Sequence, residues 1–425
     1  MIRALLNRLL RGRVIDLPPG NTIERLEVSG LTMLRGERGS RIRYSFSLEL
    51  ERPAGVLAFN RGLRASIEGG SWRYRKTVEK GLGWATVNTA YRRVGFREAE
   101  GMLEGFVEDF TLSMYGTRGN RAVLKDETLW HPVPSDNLVA WGLRGRLGFY
   151  SYSASLEAGL ALVGPGYEED EGVFRGRSTH RSPGLSLVIG RFRRIRLPRV
   201  EFWVRSGAVA RREAAAAWDN IESLATVFED AGAPLGVIDR VVEVWDETDP
   251  FAQDNMIALR SQVFKGAAKG EGPALYEVLV TLGSRAFADS APRDLGAYWV
   301  YENLPEAAAI AASLSIGGPL EEVLRSRAMQ LRECLETGVK GGYRIFGVGM
   351  PRSHRQRVII RCGVPLAFYR LATENSPEAL WDIVKCIGGK GVYSEEDAVE
   401  CVVKVLGEEA GEIFTGENKP GKKQI

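Results

Sequence analysis

The sequence predicts an α+β protein: an antiparallel β domain of sandwich or saddle type, then a mixed sheet and a helical region. Three observations carry this. From about Glu24 to Val204 the apolar residues recur with period two between Gly, Pro and Asn punctuation, as in half-buried strands. Near Arg205 the period becomes three to four, as in helices with one buried face. The length of 425 residues, 44% hydrophobic, suffices for two or three cores.

Composition narrows the classes. No apolar run approaches the roughly 18–20 residues of a membrane span, so a soluble globular protein is expected. MIRALLNRLLRGRV at the start carries Arg3 and Arg8 inside its apolar stretch and lacks a small-residue cleavage site, unlike a secretory signal. Cys334, Cys362, Cys386 and Cys401 have no C-x-x-C spacing, and are expected to be buried free thiols in a reducing cytoplasm. Scarce Gln, five in all beside 45 Arg, suits a thermophile. Net charge is +3, but residues 1–200 hold 32 basic against 21 acidic side chains and the remainder is acidic. Such asymmetry fits nucleic-acid binding by the basic β domain or two docked domains of opposite sign. The second is preferred, because aromatic residues do not interleave a compact basic run.

In chain order, residues 1–14 form an amphipathic helix that packs on its own chain, in a partner's groove or peripherally on an anionic membrane. The β domain covers 15–204. Its predicted strands are 41–51, 71–80, 105–116, 142–164 and 184–207. His131, in Trp130-His131-Pro132-Val133-Pro134, is expected to be structural or exposed, and Glu168-Glu169-Asp170-Glu171 to be a solvated turn without calcium spacing. Arg191 to Arg199 puts guanidiniums mostly on one strand face, suited to acidic partners or to phosphates. Over 205–415, a helix ends at Gly232, VIDRVVEVWDE and NMIALRSQVFKG are strands, and 319–338 is a helix. PRSHRQR from Pro351 is a basic loop, and Ser376-Pro377 and Ser394 with Asp397 cap two further helices. A tail over 416–425 is expected to be disordered.

Between these lie two helices. Leu275, Val278, Leu279, Leu282 and Ala286 share one face; after Pro292 a second helix starts near Asp294 and carries Trp299, Asn303 and Ala307 to Ala312. The segment WVYENLPEAAA from Trp299 is similar to the W-[L/V]-x-E-G-F-A stretch of gluzincin aminopeptidases, the aminopeptidase N family. The resemblance implies a β domain followed by a thermolysin-like domain. It also implies that Glu302 matches the third zinc ligand, nineteen residues after the second His of a helical His-Glu-x-x-His. Here Leu279, Val280 and Gly283 stand where that motif has His, Glu and His. By the same resemblance Ile360 stands where the family has its catalytic Tyr, and Gln253-Asp254-Asn255-Met256 where it has G-x-M-E-N. The chain has only His131, His180 and His354, none within four residues of another, so no register supplies the motif.

The sequence therefore reads as a degenerate member: a catalytically inactive scaffold that holds a peptide or protein, with no cofactor and no metal. Asn255, Met256, Asn303 and Arg285 are candidate binding positions. The alternative is a peptidase-like hydrolase with a non-standard site at Glu302, using Asp289 or Asp294 as a second carboxylate or a zinc held by scattered His and Cys. A structural Glu302 paired with Arg285 or Arg344 is the plainer reading.

Overall fold

The computed structural model describes residues 21–415 apart from 37–38, 80–84, 109–114, 126–127, 135–146, 171–172, 179–181, 183, 206–208, 319–322, 325, 328, 330–332, 334–344, 349–350 and 352. The expectations for 1–14, Glu171, His180, Cys334, Arg344 and 416–425 lie outside the described residues, as does most of the predicted helix over 319–338. The protein is α+β, and its contacts gather it into two compact units. One comprises 18–222 and 235–281, the other includes 223–234 and 282–425.

The first unit is built on a nine-stranded sheet. Strands β1 (Ile23–Gly36), β2 (Gly39–Asn60), β3 (Leu63–Ile67), β4 (Arg73–Glu79) and β5 (Ala85–Gly105) lie at its centre and on one side. The period-two reading holds in β2: Ile42, Tyr44, Phe46, Leu48 and Leu50 are at most 2% exposed, while Arg41, Arg43, Ser45 and Glu49 face water. Burying each such large side chain contributes about 1.5–3 kcal/mol. Register follows the pattern, with Val28 opposite Phe46 and Leu26 opposite Leu48.

Strands β6 (Gly116–Arg118), β7 (Arg121–Leu124), β8 (Val133–Pro134), β9 (Leu147–Ser155), β10 (Ala161–Val163), β11 (Tyr167–Asp170), β12 (Val173–Arg177) and β13 (Leu187–Gly190) come next. The nine-stranded sheet is not purely antiparallel, because β9 runs parallel to β1. A second sheet has the order β10-β13-β7-β6. The expected acidic turn at Glu168 to Asp170 is strand β11, an antiparallel partner of β12 with Glu168 in register with Arg175. His131 is fully buried, edge-on to Trp130, with Nδ1 3.1 Å from the Pro132 carbonyl. Its role is structural.

The unit's third sheet is mixed. Strands β14 (Phe192–Arg196), β15 (Glu201–Arg205), β16 (Arg240–Val244), β17 (Phe251–Gln253) and β18 (Met256–Arg260) lie in the order β14-β15-β16-β18-β17. The inner three are parallel and the two edges antiparallel. Covered on both faces, Val241, Val242, Ile257, Ala258 and Leu259 form unbroken apolar runs. The arginines of β14 meet local carboxylates: Arg194 and Arg196 pair with Glu201, and Arg199 just beyond pairs with Glu222.

Helix α1 (Arg211–Asp230) spans the two units' sequence, and α2 (Ser261–Lys269) directly succeeds β18. The strand expected to continue through Gly266 therefore ends at Arg260. Val263, Phe264 and Ala267 bury at helical spacing, and Gly270 at φ 71° closes the helix in the left-handed conformation.

Helix α3 (Gly272–Ala286) runs in sequence from the first unit into the second, where the bridge strand β19 (Ala291–Pro292) is followed by the central helix α4 (Tyr298–Ser315). After it come α5 (His354–Val358), a π-helical turn at Ile359–Gly363, α6 (Val364–Glu374), α7 (Pro377–Gly389), β20 (Val392–Tyr393), α8 (Glu395–Leu406) and α9 (Glu408–Thr415). Ala307 to Ala312 are completely buried, the small side chains letting α6 and α7 approach α4. Both predicted caps form. Ser376 accepts from Ala379, and Ser394 with Asp397 makes a reciprocal capping box. The basic loop at Pro351 is instead the start of α5, because Ser353 caps it by accepting from the Gln356 amide at 3.2 Å. The expectation of free thiols fails at Cys386 and Cys401, which form a disulfide joining α7 to α8; Cys362 is buried.

Candidate functional site

The positions that the resemblance singles out lie along α3 and, separately, on α4. Positions 279 and 283 stand one turn apart on α3 and so share a face, with 280 beside them. Leu279 is 2% exposed, Val280 is half-buried and Gly283 is buried. Gly283 has no room for a side chain. A Cβ built there would come within 2.3 Å of the Pro305 carbonyl oxygen and 3.0 Å of its Cα, both backbone atoms of α4. The glycine lets the two helix backbones touch, and Pro305, inside α4, leaves one rung of that helix's ladder unmade.

Glu302 lies one turn before Pro305 on α4 and is exposed. It is not a buried carboxylate paired with Arg285; it accepts a hydrogen bond from the Tyr298 hydroxyl four residues back. Burial, and then the adjacent Glu302 charge, holds the Tyr298 phenol well above its ordinary range, so it remains a donor at neutral pH. Asn303 is buried and donates to the Trp299 carbonyl at 2.8 Å. Arg285 is partly buried, with its Nε enclosed and unbonded among the described residues. Ile360 is 2% exposed within the π-helical turn.

The Gln253 to Met256 segment is the tight turn joining β17 to β18. Asp254, at φ 47°, accepts from the Tyr150 hydroxyl at 2.7 Å and from Ser182. Asn255 donates to both carboxylate oxygens of Asp239, at 2.8 and 2.9 Å, and accepts from the Gly166 amide. Met256 is fully buried. The hydrogen bonds of Asn255 and the burial of Met256 explain their places in the turn without a ligand.

A polar cluster at the start of α4 escaped the sequence reading. Asp294 and Glu395 are 2% and 5% exposed, and both carboxylates border Gly296, whose added Cβ would lie 2.8 Å from one and 3.4 Å from the other. Asp294 accepts from the Ala297 amide, and Glu395 accepts from the Trp299 indole and the Gly347 amide, each at 2.6 Å. Burial pushes the Glu395 carboxyl up to about 7, against the lowering effect of its two donors and with help from Glu396 and Asp294. Trp299 stacks on Phe414 at 5.1 Å, so this carboxyl ties α4, α8 and the loop at Gly347 together. The second carboxylate that Asp294 was expected to offer Glu302 is turned toward Glu395 instead. The only sequence signal was Ser394-Glu395 at a helix start.

Among the described residues no three His, Cys, Asp or Glu side chains are grouped to hold a metal ion, and no helix is long and apolar enough to cross a membrane.

The sequence matches no family model and no curated relative. Its fold is similar to solved zinc metallopeptidases. An M1 zinc metallopeptidase of Deinococcus radiodurans aligns at a TM-score of 0.63 and 15% identity, covering 94% of each chain. A point mutant of that enzyme bound to a Tyr-Ser-Ala substrate aligns at 0.63 and 13%, covering 93% of each. Native yeast leukotriene A4 hydrolase aligns at 0.67 and 10%, covering 98% of this chain and 72% of the other. At these identities the likeness concerns the fold. A zinc does not fit the positions that the sequence resemblance singles out, since the side chains of Leu279 and Gly283 have no lone pair to offer and Gly283 has no space for a ligand.

Proposed function

We propose that the protein is a non-catalytic relative in shape of the M1 peptidases, binding a peptide or a protein segment and hydrolysing nothing. What supports this is Gly283. A zinc ligand lost by simple substitution would leave a hole, whereas here the neighbouring backbone fills the ligand's place. Glu302, the one carboxylate of the family's trio, is exposed and bonded to its own helix, a disposition suited to meeting a partner's cationic group. Peptide is the favoured ligand class because the Deinococcus neighbour is known with Tyr-Ser-Ala bound. The same reading places the chain in the cytoplasm. A structural disulfide such as Cys386–Cys401 is uncommon there in mesophiles, which accords with the thermophile suggested by the Gln-poor composition.

The test is elemental analysis of untagged protein with peptide hydrolysis and calorimetric titration of Tyr-Ser-Ala. Far less than one zinc per chain, no hydrolysis and saturable peptide binding are expected. One zinc per chain with hydrolysis abolished by Glu302→Ala would overturn the proposal. A pull-down from source cells then identifies the physiological partner.

A further inference from the structure

The most one-sided charge in the molecule sits on β4 and the adjoining part of β5. Residues 69–97 contain seven basic side chains and one acidic, more than the whole chain's surplus of +3. Within it Arg73, Arg75, Lys76 and Arg93 are exposed and Arg92 is partly so. None of the five forms an ion pair with any described residue. Elsewhere on the same sheet arginine faces glutamate across the strands: Arg25 opposite Glu49, Arg43 and Arg64 opposite Glu104. On this ribbon Arg73 faces Tyr91, Arg75 faces Thr89 and Lys76 faces Asn88.

Strand β4 pairs only with β5 and is an edge, and charge on an edge strand guards against edge-to-edge association. That accounts for Arg73, Arg75 and Lys76. It does not account for Arg92 and Arg93 on the inner strand, nor for the missing counter-charges, since like charges on neighbouring strands destabilise a sheet. Aromatic faces accompany the cations. Arg75 lies over the Tyr91 ring at 5.1 Å on the face it shares with Arg73, while Tyr74, 48% exposed, stands with Lys76 on the other face of the strand. Rings beside cations are what a single strand needs, with phosphates neutralised and bases stacked.

We infer that the β4–β5 ribbon is a docking surface for single-stranded nucleic acid, held through its phosphodiester backbone without sequence readout. This site is independent of the peptide-binding proposal. The inference is tested with the full chain and fluorescein-labelled oligo(dT) followed by anisotropy. The logarithm of the association constant should fall with log salt at a slope of about −2 to −3, from three or four phosphates at ~0.7 each. Arg73→Glu with Arg75→Glu should weaken binding at least ~10-fold at 50 mM salt, about the effect of losing those contacts. The same charge change at exposed Arg211 and Arg212 should alter it by less than ~2-fold. Should the glutamate pair fail to fold, Arg73→Gln with Arg75→Gln takes its place and should weaken binding several-fold. No saturable binding at 50 mM salt, equal losses in ribbon and control variants, or binding only to duplex DNA or phosphatidylserine vesicles overturns the inference.

Discussion

Gly283→Ala is the sharpest perturbation of the helix pair. In a helix interior an alanine for a glycine is ordinarily worth about 1 kcal/mol of stability. Here the added methyl would stand 2.3 Å from the Pro305 carbonyl oxygen and 3.0 Å from two further backbone atoms, which cannot swing away as a side chain end can. Relieving that overlap means moving α4 against Ala307 to Ala312 and the helices packed on them, an overpacking cost of about 1–3 kcal/mol. Because the overlap is with backbone, the upper half of that range applies; less the helix gain, a net loss of roughly 1–2 kcal/mol is expected, a fall of about 1–2 °C in melting temperature for a chain of this size. Gly389→Ala is the control: it is the last residue of α7, meets nothing within 4 Å, and should be neutral or slightly stabilising. Scanning calorimetry of the two variants beside the parent measures the difference. If Gly283→Ala melts at or above the parent temperature, the helices are not in backbone contact at 283 and the argument against a ligand there collapses.

Glu395 supplies a pH test. Its folded carboxyl is raised, from 4.5 to about 7, so its stabilising share is complete below pH 4.5 and is lost as pH rises toward 7. With about 1.4 kcal/mol per unit the full window is worth roughly 3–4 kcal/mol. Glu395→Gln should flatten melting temperature against pH between 4.5 and 7.5, and an unchanged slope would show that Glu395 does not titrate there. Cys386→Ser with Cys401→Ser releases a bridge closing 15 residues and should cost about 3 kcal/mol by loop entropy. A variant as stable as the oxidised parent would mean that the two thiols are not joined in solution.

The fold was legible where burial obeys a simple period. Ile42 to Leu50 gave β2, the Ser394–Asp397 spacing gave α8, and Ala307 to Ala312 gave a helix that others approach closely. Boundaries failed where two signals overlap. The run Met256 to Gly266 is apolar enough for a strand throughout, yet the chain turns helical at Ser261, which donates to Glu243 at 2.6 Å. The acidic stretch at Glu168 looked like a turn because the strand it pairs with, Val173–Arg177, is not announced by composition. The disulfide was hidden for a similar reason. Cys386 and Cys401 lie 15 residues apart on different helices, and only the α7–α8 hairpin brings their Cα atoms to 5.8 Å.

The site was half legible, and the division has a physical cause. What side chains lack can be read from a sequence: Leu279 and Gly283 donate to nothing in any conformation. What backbones occupy cannot. That Gly283 is filled from outside by Pro305 depends on two helices meeting, and no local pattern in either announces it. The ribbon shows the same limit from the other side. Seven cations between residues 69 and 97 are countable in the sequence, as is the alternation of Trp72-Arg73-Tyr74-Arg75-Lys76. Charge repulsion became visible only with the register, because Thr89, Asn88 and Tyr91 occupy the cross-strand places where acids would have neutralised it. In both cases the informative residue is the neutral one, a glycine or a threonine, whose meaning lies in what stands opposite.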